Sequence, residues 1–186
     1  MTVTGAIFCG GKSSRMGRDK ASLELSGKPM VHWAAAAMGS AGIDRIYTVG
    51  GQTHSGLQWL PDSQPQGGPL SALIDAVDAF GDVFVCPCDV PLISGALIQR
   101  IIAAGNETEK PVVLAQSQRL QPLIGLYKKT VAEILKIGYE QGARGPKHVL
   151  TAENFETVTA NEDEVRNVNT PQELERVLQI LNPSRS

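Results

Sequence analysis

With 186 residues the chain is long enough for one domain with a substantial core, at about 150 residues per domain, and short for two. Seventeen Lys and Arg against nineteen Asp and Glu leave a formal charge of −2, which excludes a broadly basic nucleic-acid binder, while 42% apolar and 19% charged residues exclude a disordered chain. Three cysteines, Cys9, Cys86 and Cys88, are an odd number, and without a basic and apolar leader they point to a cytoplasmic protein rather than a secreted disulfide scaffold.

Residues 3–9 form a short apolar run closed by Gly10-Gly11, the pattern of a buried strand entering a loop. Pro29 in a first turn and the alanine-rich stretch 30–41 predict a helix that stops near Gly42. A second strand is expected over 43–49, ahead of Gly50-Gly51. The longest charge-free stretches, 29–43 and 46–61, are interrupted by Gly, Ser, Gln, Thr and His, so neither supplies the roughly 18 apolar residues of a membrane span. No membrane partner is expected. Gly67-Gly68-Pro69 leads into 70–80, where Leu70, Leu73, Ile74 and Val77 recur at helical spacing, and 82–86 again reads as a buried strand. Ser94 is the expected N-cap of a helix over 94–104. Strands at 112–115 and 123–127, a helix at 130–137, a strand at 155–159 and an amphipathic helix at 171–181 complete the chain. This alternation of strand and helix implies an α/β fold, a single layered domain of residues 1–186 around a mostly parallel sheet.

In such a sheet ligands bind beyond the carboxyl ends of the strands, which directs attention to the loop after the first strand. Between Lys12 and Lys28 five basic residues (Lys12, Arg15, Arg18, Lys20 and Lys28) face two acidic ones (Asp19 and Glu24), a local +3 that leaves −5 for the remainder. Glycines that let backbone amides approach, together with cations, suit a polyphosphate. A Walker A loop would need Gly at position 6, where Ala6 stands, and no dinucleotide Gly-x-Gly-x-x-Gly fingerprint is present. Asp89, just beyond the strand 82–86 and between Pro87 and Pro91, can present a hard carboxylate to Mg²⁺ over a triphosphate. Cys86 and Cys88 are one residue short of Cys-x-x-Cys spacing and read as packing residues. His32, His54 and His148 are dispersed and support neither a metal site nor a triad. In Asn167-Val168-Asn169-Thr170-Pro171, Thr170 and Pro171 read as a helix cap, and the alternating asparagines put two amides on one side of an extended segment.

The segment Gly10-Gly11-Lys12-Ser13-Ser14-Arg15-Met16-Gly17-Arg18-Asp19-Lys20 resembles the Gly-Gly-x-Ser-x-Arg-Met-Gly-x-Asp-Lys signature of molybdenum cofactor guanylyltransferases, the MobA family of nucleotidyltransferases. The resemblance continues through Gly27-Lys28-Pro29, Asp62, Gly68-Pro69-Leu70, Cys88-Asp89-Val90-Pro91, Gln121-Pro122-Leu123 and Asn167-Val168-Asn169-Thr170-Pro171. It implies a single three-layer, Rossmann-like nucleotidyltransferase domain that joins GTP to Mo-molybdopterin, forming the guanine dinucleotide cofactor and pyrophosphate, with Mg²⁺ as cofactor. By the same resemblance Phe8, Cys9, Gly10, Gly11, Asp62, Gly68 and Asp89 contact the nucleotide, and Lys20 its phosphates. Lys20, Asp89 and Arg15 would be catalytic and Asp89 the metal ligand, while Asn167, Asn169, Gln121 and Arg144 would face the molybdopterin. Transient contacts with other molybdenum cofactor biosynthesis proteins and apo-molybdoenzymes are implied as well. Phe8-Cys9 stand where the family usually has Leu-Ala, and Gly50 where some members carry Asn. A sister enzyme that uses CTP, one acting on sugar or alditol phosphates, and a non-catalytic nucleotide- or cofactor-binding adaptor are the competing readings. Lys20 together with Asp89 argues against the adaptor, because binding alone needs no metal carboxylate.

Overall fold

In a computed structural model, which describes residues 2–10 and 20–182, the chain opens with β1 (Thr4–Phe8) and resumes in a 3-10 turn (Lys20–Ser22). A small hairpin of β2 (Glu24–Leu25) and β3 (Lys28–Pro29) leads into α1 (Met30–Ser40), β4 (Ile46–Val49), β5 (Gln58–Leu60), α2 (Pro69–Phe80) and β6 (Val83–Pro87). Then follow α3 (Gly95–Glu107), β7 (Val112–Gln116), β8 (Leu120–Tyr127), α4 (Ala132–Glu140), β9 (Phe155–Thr159) and α5 (Pro171–Leu181).

Seven of the described strands make one sheet in the order β5-β4-β1-β6-β8-β7-β9. Every neighbouring pair is parallel except the two that involve β8, which runs against both β6 and β7. The expectation of a mostly parallel sheet holds. β8 is also longer than the expected strand over 123–127, because its first residues pair beyond an irregularity: Leu114 stands opposite Gly125, but Ala115 opposite Gln121. The segment 122–124 is thereby displaced from the ladder, and the Tyr127 hydroxyl donates to the Pro122 carbonyl within it.

The alternation of side chains along each strand builds the three layers. Ile7 of β1, Phe84 and Cys86 of β6, and Val113 and Ala115 of β7 join Val31, Ala34 and Met38 of α1 and Leu97, Ile98 and Ile101 of α3 on one face. Ala6 and Phe8, Val83 and Val85, and Val112 and Leu114 join α2 and Leu135 of α4 on the other. Strands buried on both faces read as continuous apolar runs, which is why 3–9 and 82–86 stand out in the sequence. A third, smaller cluster packs Leu25 and Met30 against Val168 and Val177, fastening α5 over the β2–β3 hairpin.

Helix ends follow the capping chemistry. The Ser94 hydroxyl accepts from the Leu97 amide at 3.1 Å, and Thr170 with Glu173 forms a complete capping box for α5. Three strands were not expected: the two of the β2–β3 hairpin, with two residues each, and β5, where Gln58 and Trp59 are exposed. Such short or one-sided segments carry no apolar period. The strand predicted over 43–49 starts only at Ile46, since the Ile43 amide still bonds the Met38 carbonyl of α1.

Candidate active site

The chain passes from β1 to β4 on one side of β1 and later returns through α2 to β6 on its other side. The carboxyl ends of β1 and β6 therefore flank the switch point of the sheet, where an open α/β fold leaves a crevice. Just past its end β1 still holds both neighbours: the Cys9 amide donates to the Val49 carbonyl (2.9 Å) and the Cys88 amide to the Phe8 carbonyl (3.0 Å). Residues 8–10 thus lie between the turns that follow β4 and β6. The turn after β4 packs its backbone against the end of β1. A Cβ on Gly51, where φ is +60°, would lie 2.7 Å from the Cys9 carbonyl oxygen, and one on Gly50 would lie 3.4 Å from the Gly10 Cα. At Gly50 a Cβ would thus be in ordinary contact with the end of β1, whereas at Gly51 it would clash.

One crevice of about 340 Å³ at this edge is bordered by Phe8, Cys9, Gly10, Lys20, Asp62, Gly68, Asp89 and Asn167. Asp62, two residues past β5, is fixed by the Gln64 amide (2.9 Å) and the Ser71 hydroxyl (3.0 Å), both of which donate to Oδ1. Gly68 caps α2, and Pro69 occupies the first helical position, where a missing N–H costs nothing. The approach to α2 is secured by Ser63, whose amide and hydroxyl both donate to Asp75 at 2.9 and 2.8 Å.

The charged centre gathers three distant parts of the chain. Lys20 leads its 3-10 turn and extends Nζ to Asp89 Oδ2 (3.2 Å) and Asn169 Oδ1 (2.5 Å). The side chains of Lys20 and Asp89 are only 19% and 15% exposed. Asp89 Oδ1 is buried and has no hydrogen-bond partner among the described residues. A buried carboxylate oxygen without a donor is costly, and such an oxygen could accept a cation or a donor brought by a ligand. No group of three or more His, Cys, Asp or Glu with metal-binding geometry is present among the described residues. A hard cation here would take Asp89 and complete its shell with ligand and water oxygens, as Mg²⁺ does over phosphates.

The asparagines owe their placement to the residue between them. Val168 is fully buried in the third cluster, contributing about 1.5–3 kcal/mol by its transfer from water, and its amide donates to the Asp89 carbonyl at 2.8 Å. Pinning Val168 turns Asn167 to the crevice wall and Asn169 to Lys20. Behind them, the Asn169 and Thr170 amides and the Thr170 hydroxyl hold the Glu173 carboxyl below its ordinary pKa, the Asn169 amide most strongly. At the other end of the site, burial pushes the Cys86 thiol well up, with the charge of Asp89 adding to it. Cys86 is thus a packing residue; Cys88 packs in the same core cluster but also borders the crevice.

Two predicted residues stand apart. Gln121 pairs with Ala115 before the irregularity in β8 and does not border the crevice, whereas Leu123 within it does. The Arg144 guanidinium lies 4.4 Å from the centre of the Tyr139 ring and donates to the Tyr139 and Ala143 carbonyls, facing a separate, open groove beside α4. It supports the crevice through its backbone, since its carbonyl accepts from the Leu70 amide at 3.1 Å. Gly11 and Arg15, with Lys12, Arg18 and Asp19, lie outside the described residues. Pro65 and Ala72 were missed as crevice walls; a small residue in the first turns of a helix that begins at a Gly-Pro step was the available signal.

Residues 5–158 match the family described as the MobA-like NTP transferase domain. The molybdenum cofactor guanylyltransferase of Cereibacter sphaeroides is 33% identical over 97% of this chain and 98% of its own length. That of Xanthomonas euvesicatoria pv. vesicatoria is 31% identical over 94% of each. Among solved structures, molybdopterin-guanine dinucleotide biosynthesis protein A from Archaeoglobus fulgidus superposes with a TM-score of 0.83 over 97% of this chain and 99% of its own, at 19% identity, which speaks for the fold. With the signature residues, the sheet order and the Lys20–Asp89 crevice on a chain matched over most of its length, this protein belongs to the MobA-like NTP transferase family.

Proposed function

We propose that this chain is a molybdenum cofactor guanylyltransferase: it transfers GMP from GTP to the terminal phosphate of Mo-molybdopterin, with Mg²⁺, and releases pyrophosphate. The observation that carries the reading is the cluster at the switch point, a lysine ammonium between a carboxylate and an amide, beside a buried carboxylate oxygen that lacks a donor. The names and lengths of the relatives support it. An oxygen of the molybdopterin phosphate attacks the α-phosphorus of GTP, the bond to the β-phosphate oxygen breaks, and pyrophosphate departs in line with the attack. The nucleophile is already ionised, so the reaction asks for positioning and charge neutralisation rather than a general base.

In this assignment Lys20 meets the triphosphate and exchanges part of its pairing with Asp89 for phosphate oxygens. Asp89 holds Mg²⁺, which when bound neutralises charge on the phosphates and polarises them. Phe8, Cys9, Gly10, Asp62 and Gly68 form the nucleotide side; the family signature assigns Gly11 to the same role and Arg15 to catalysis, both outside the described residues. Asn167 and Asn169 face the acceptor. Arg144 reaches an acceptor only if its guanidinium leaves the Tyr139 ring, and Gln121 would need an acceptor that extends beyond the crevice. Transient contacts with cofactor-biosynthesis proteins and apo-molybdoenzymes belong to the same proposal. No described helix is long and apolar enough to cross a membrane.

The deciding experiment supplies the purified protein with Mg²⁺, Mo-molybdopterin and each nucleoside triphosphate in turn and follows pyrophosphate. Release with GTP and not with CTP is expected; release with CTP alone would move the protein to the cytidylyl class, and release with no triphosphate would leave the adaptor and an enzyme for sugar or alditol phosphates, which a panel of such acceptors separates. A second test concerns Gly10. A Cβ at this position would meet nothing closer than 3.8 Å in the protein. Gly10→Ala should therefore keep thermal stability within about 0.5 kcal/mol. If a nucleotide approaches the backbone there, the added methyl raises KM for GTP by about tenfold or more. An unchanged KM would remove Gly10 from the nucleotide contacts.

A further inference from the structure

We propose that Glu173 is a positioning residue of this site: by fixing the backbone of Asn169 it aims the Asn169 side chain so that Lys20 is held beside Asp89, ready to meet a phosphate. The inference rests on the assignment of Lys20 to the nucleotide phosphates, and goes beyond it in tracing how the lysine is held.

An ordinary capping box joins two residues. Here the Glu173 amide donates to Thr170 Oγ1 at 3.2 Å and Glu173 Oε2 accepts from the Thr170 amide at 2.9 Å, which satisfies the first turn of α5. The same Oε2 also accepts from the Asn169 amide at 2.7 Å, the shortest of these bonds and one the cap does not need. A carboxylate accepting from backbone amides makes a charge-assisted, directional hold. The next link is Asn169 Oδ1, which accepts from Lys20 Nζ at 2.5 Å, and Nζ in turn lies 3.2 Å from Asp89 Oδ2. On its other flank Asn169 follows Val168, which is buried and bonded through its amide to the Asp89 carbonyl. With both flanks fastened, the side-chain rotation of Asn169 is its main remaining freedom.

Lysine loses much rotamer entropy when it is ordered, so a fixed acceptor decides where its ammonium rests. α5 braces the same loop a second time, since Arg176 lies 3.6 Å from Asp163, which also pairs with Arg166. A helix at the rim of the fold thereby sets the position of a side chain at its centre.

The test compares Glu173→Gln and Glu173→Ala with Thr170→Ala. The last variant weakens the cap but keeps the Glu173 bond to the Asn169 amide. Two readouts are used: the rate at which Lys20 is acetylated by an N-hydroxysuccinimide ester, measured by peptide mass spectrometry against exposed Lys147, and the Kd for GTP with Mg²⁺. Both Glu173 variants should raise the relative acetylation of Lys20 several-fold and weaken GTP by about tenfold, the scale of one charged hydrogen bond. Thr170→Ala should lower the melting temperature comparably and leave both readouts within about twofold of wild type. In an Asn169→Ala background, Glu173→Gln should have no further effect on either. A wild-type rate of Lys20 acetylation in Glu173→Gln overturns the proposal, and so does a Thr170→Ala variant that changes Lys20 as much as the Glu173 variants do. Failure of the wild-type protein to bind GTP would instead defeat the assignment of the nucleotide, and the acetylation rates would still decide the role of Glu173.

Discussion

Asp89→Asn should lower the rate of pyrophosphate release by roughly 10³-fold, the size of effect that several kcal/mol of lost charge stabilisation produces. The substitution is isosteric. Its amide oxygen can still accept from Lys20, and its NH₂ group takes the place of Oδ1, which has no hydrogen-bond partner among the described residues. The main-chain bond from Val168 to the Asp89 carbonyl is untouched. The Lys20–Asp89 pair is partly exposed, so its removal costs the fold little, about 1 kcal/mol, and is offset by relief of a poorly satisfied carboxylate. The expected result is an inactive protein whose melting temperature stays within a few degrees of the parent. Chelation of divalent cations should bring the parent to the same residual rate. A variant that turns over at the parental rate would show that no essential cation depends on this carboxylate.

A large loss of stability from a single methyl is expected at Gly68. Its φ is +75°, and a Cβ there would lie 2.5 Å from the Arg144 carbonyl oxygen, the atom that accepts from the Leu70 amide. Gly68→Ala therefore combines strain at a φ of +75° and ψ of −178°, a region essentially confined to glycine, about 1–3 kcal/mol, with an overpacking term of about 1–3 kcal/mol. A total of about 2–6 kcal/mol lowers the melting temperature of a chain this size by roughly 4–24 °C. Gly56→Ala separates the two contributions. Gly56 has the same φ of +75° but nothing within 4 Å of its added Cβ, so only the strain remains. Scanning calorimetry on both variants gives the difference, and equal losses would mean that segment 142–149 moves aside freely. The clash also pushes the first turn of α2 away from the crevice, so weaker nucleotide binding should accompany the lower melting temperature.

Much of this could be read from the residues alone, for physical reasons. β1, β6 and β7 are buried on both faces and announce themselves as apolar runs, and α5 carries its start signal in Thr170, Pro171 and Glu173. The direction of β8 was not legible. A strand reached through a tight turn from β7 must run against it, but the sequence between them carries no Asn-Gly or Asp-Gly signal to fix that turn. Nor could β5 be seen, since it owes its place to pairing with β4 and not to any pattern of its own. Within the site, Asp89 and the two asparagines were found by motif, whereas the bond between Lys20 and Asn169 is a tertiary event with no local trace. Arg144 shows the converse: a cation at a suggestive position whose guanidinium is satisfied by an aromatic ring and two carbonyls.

The Lys20–Asn169 contact closes a loop of 149 residues. Contacts of such separation form late, because the entropy of closing the chain must be met before they stabilise anything. During synthesis every strand of the sheet, β9 included, leaves the ribosome before Asn169 does. A nascent chain can thus complete its sheet while its ammonium has no amide to rest on, and the order of the sequence makes assembly of the charged centre wait for the segment that carries Asn169.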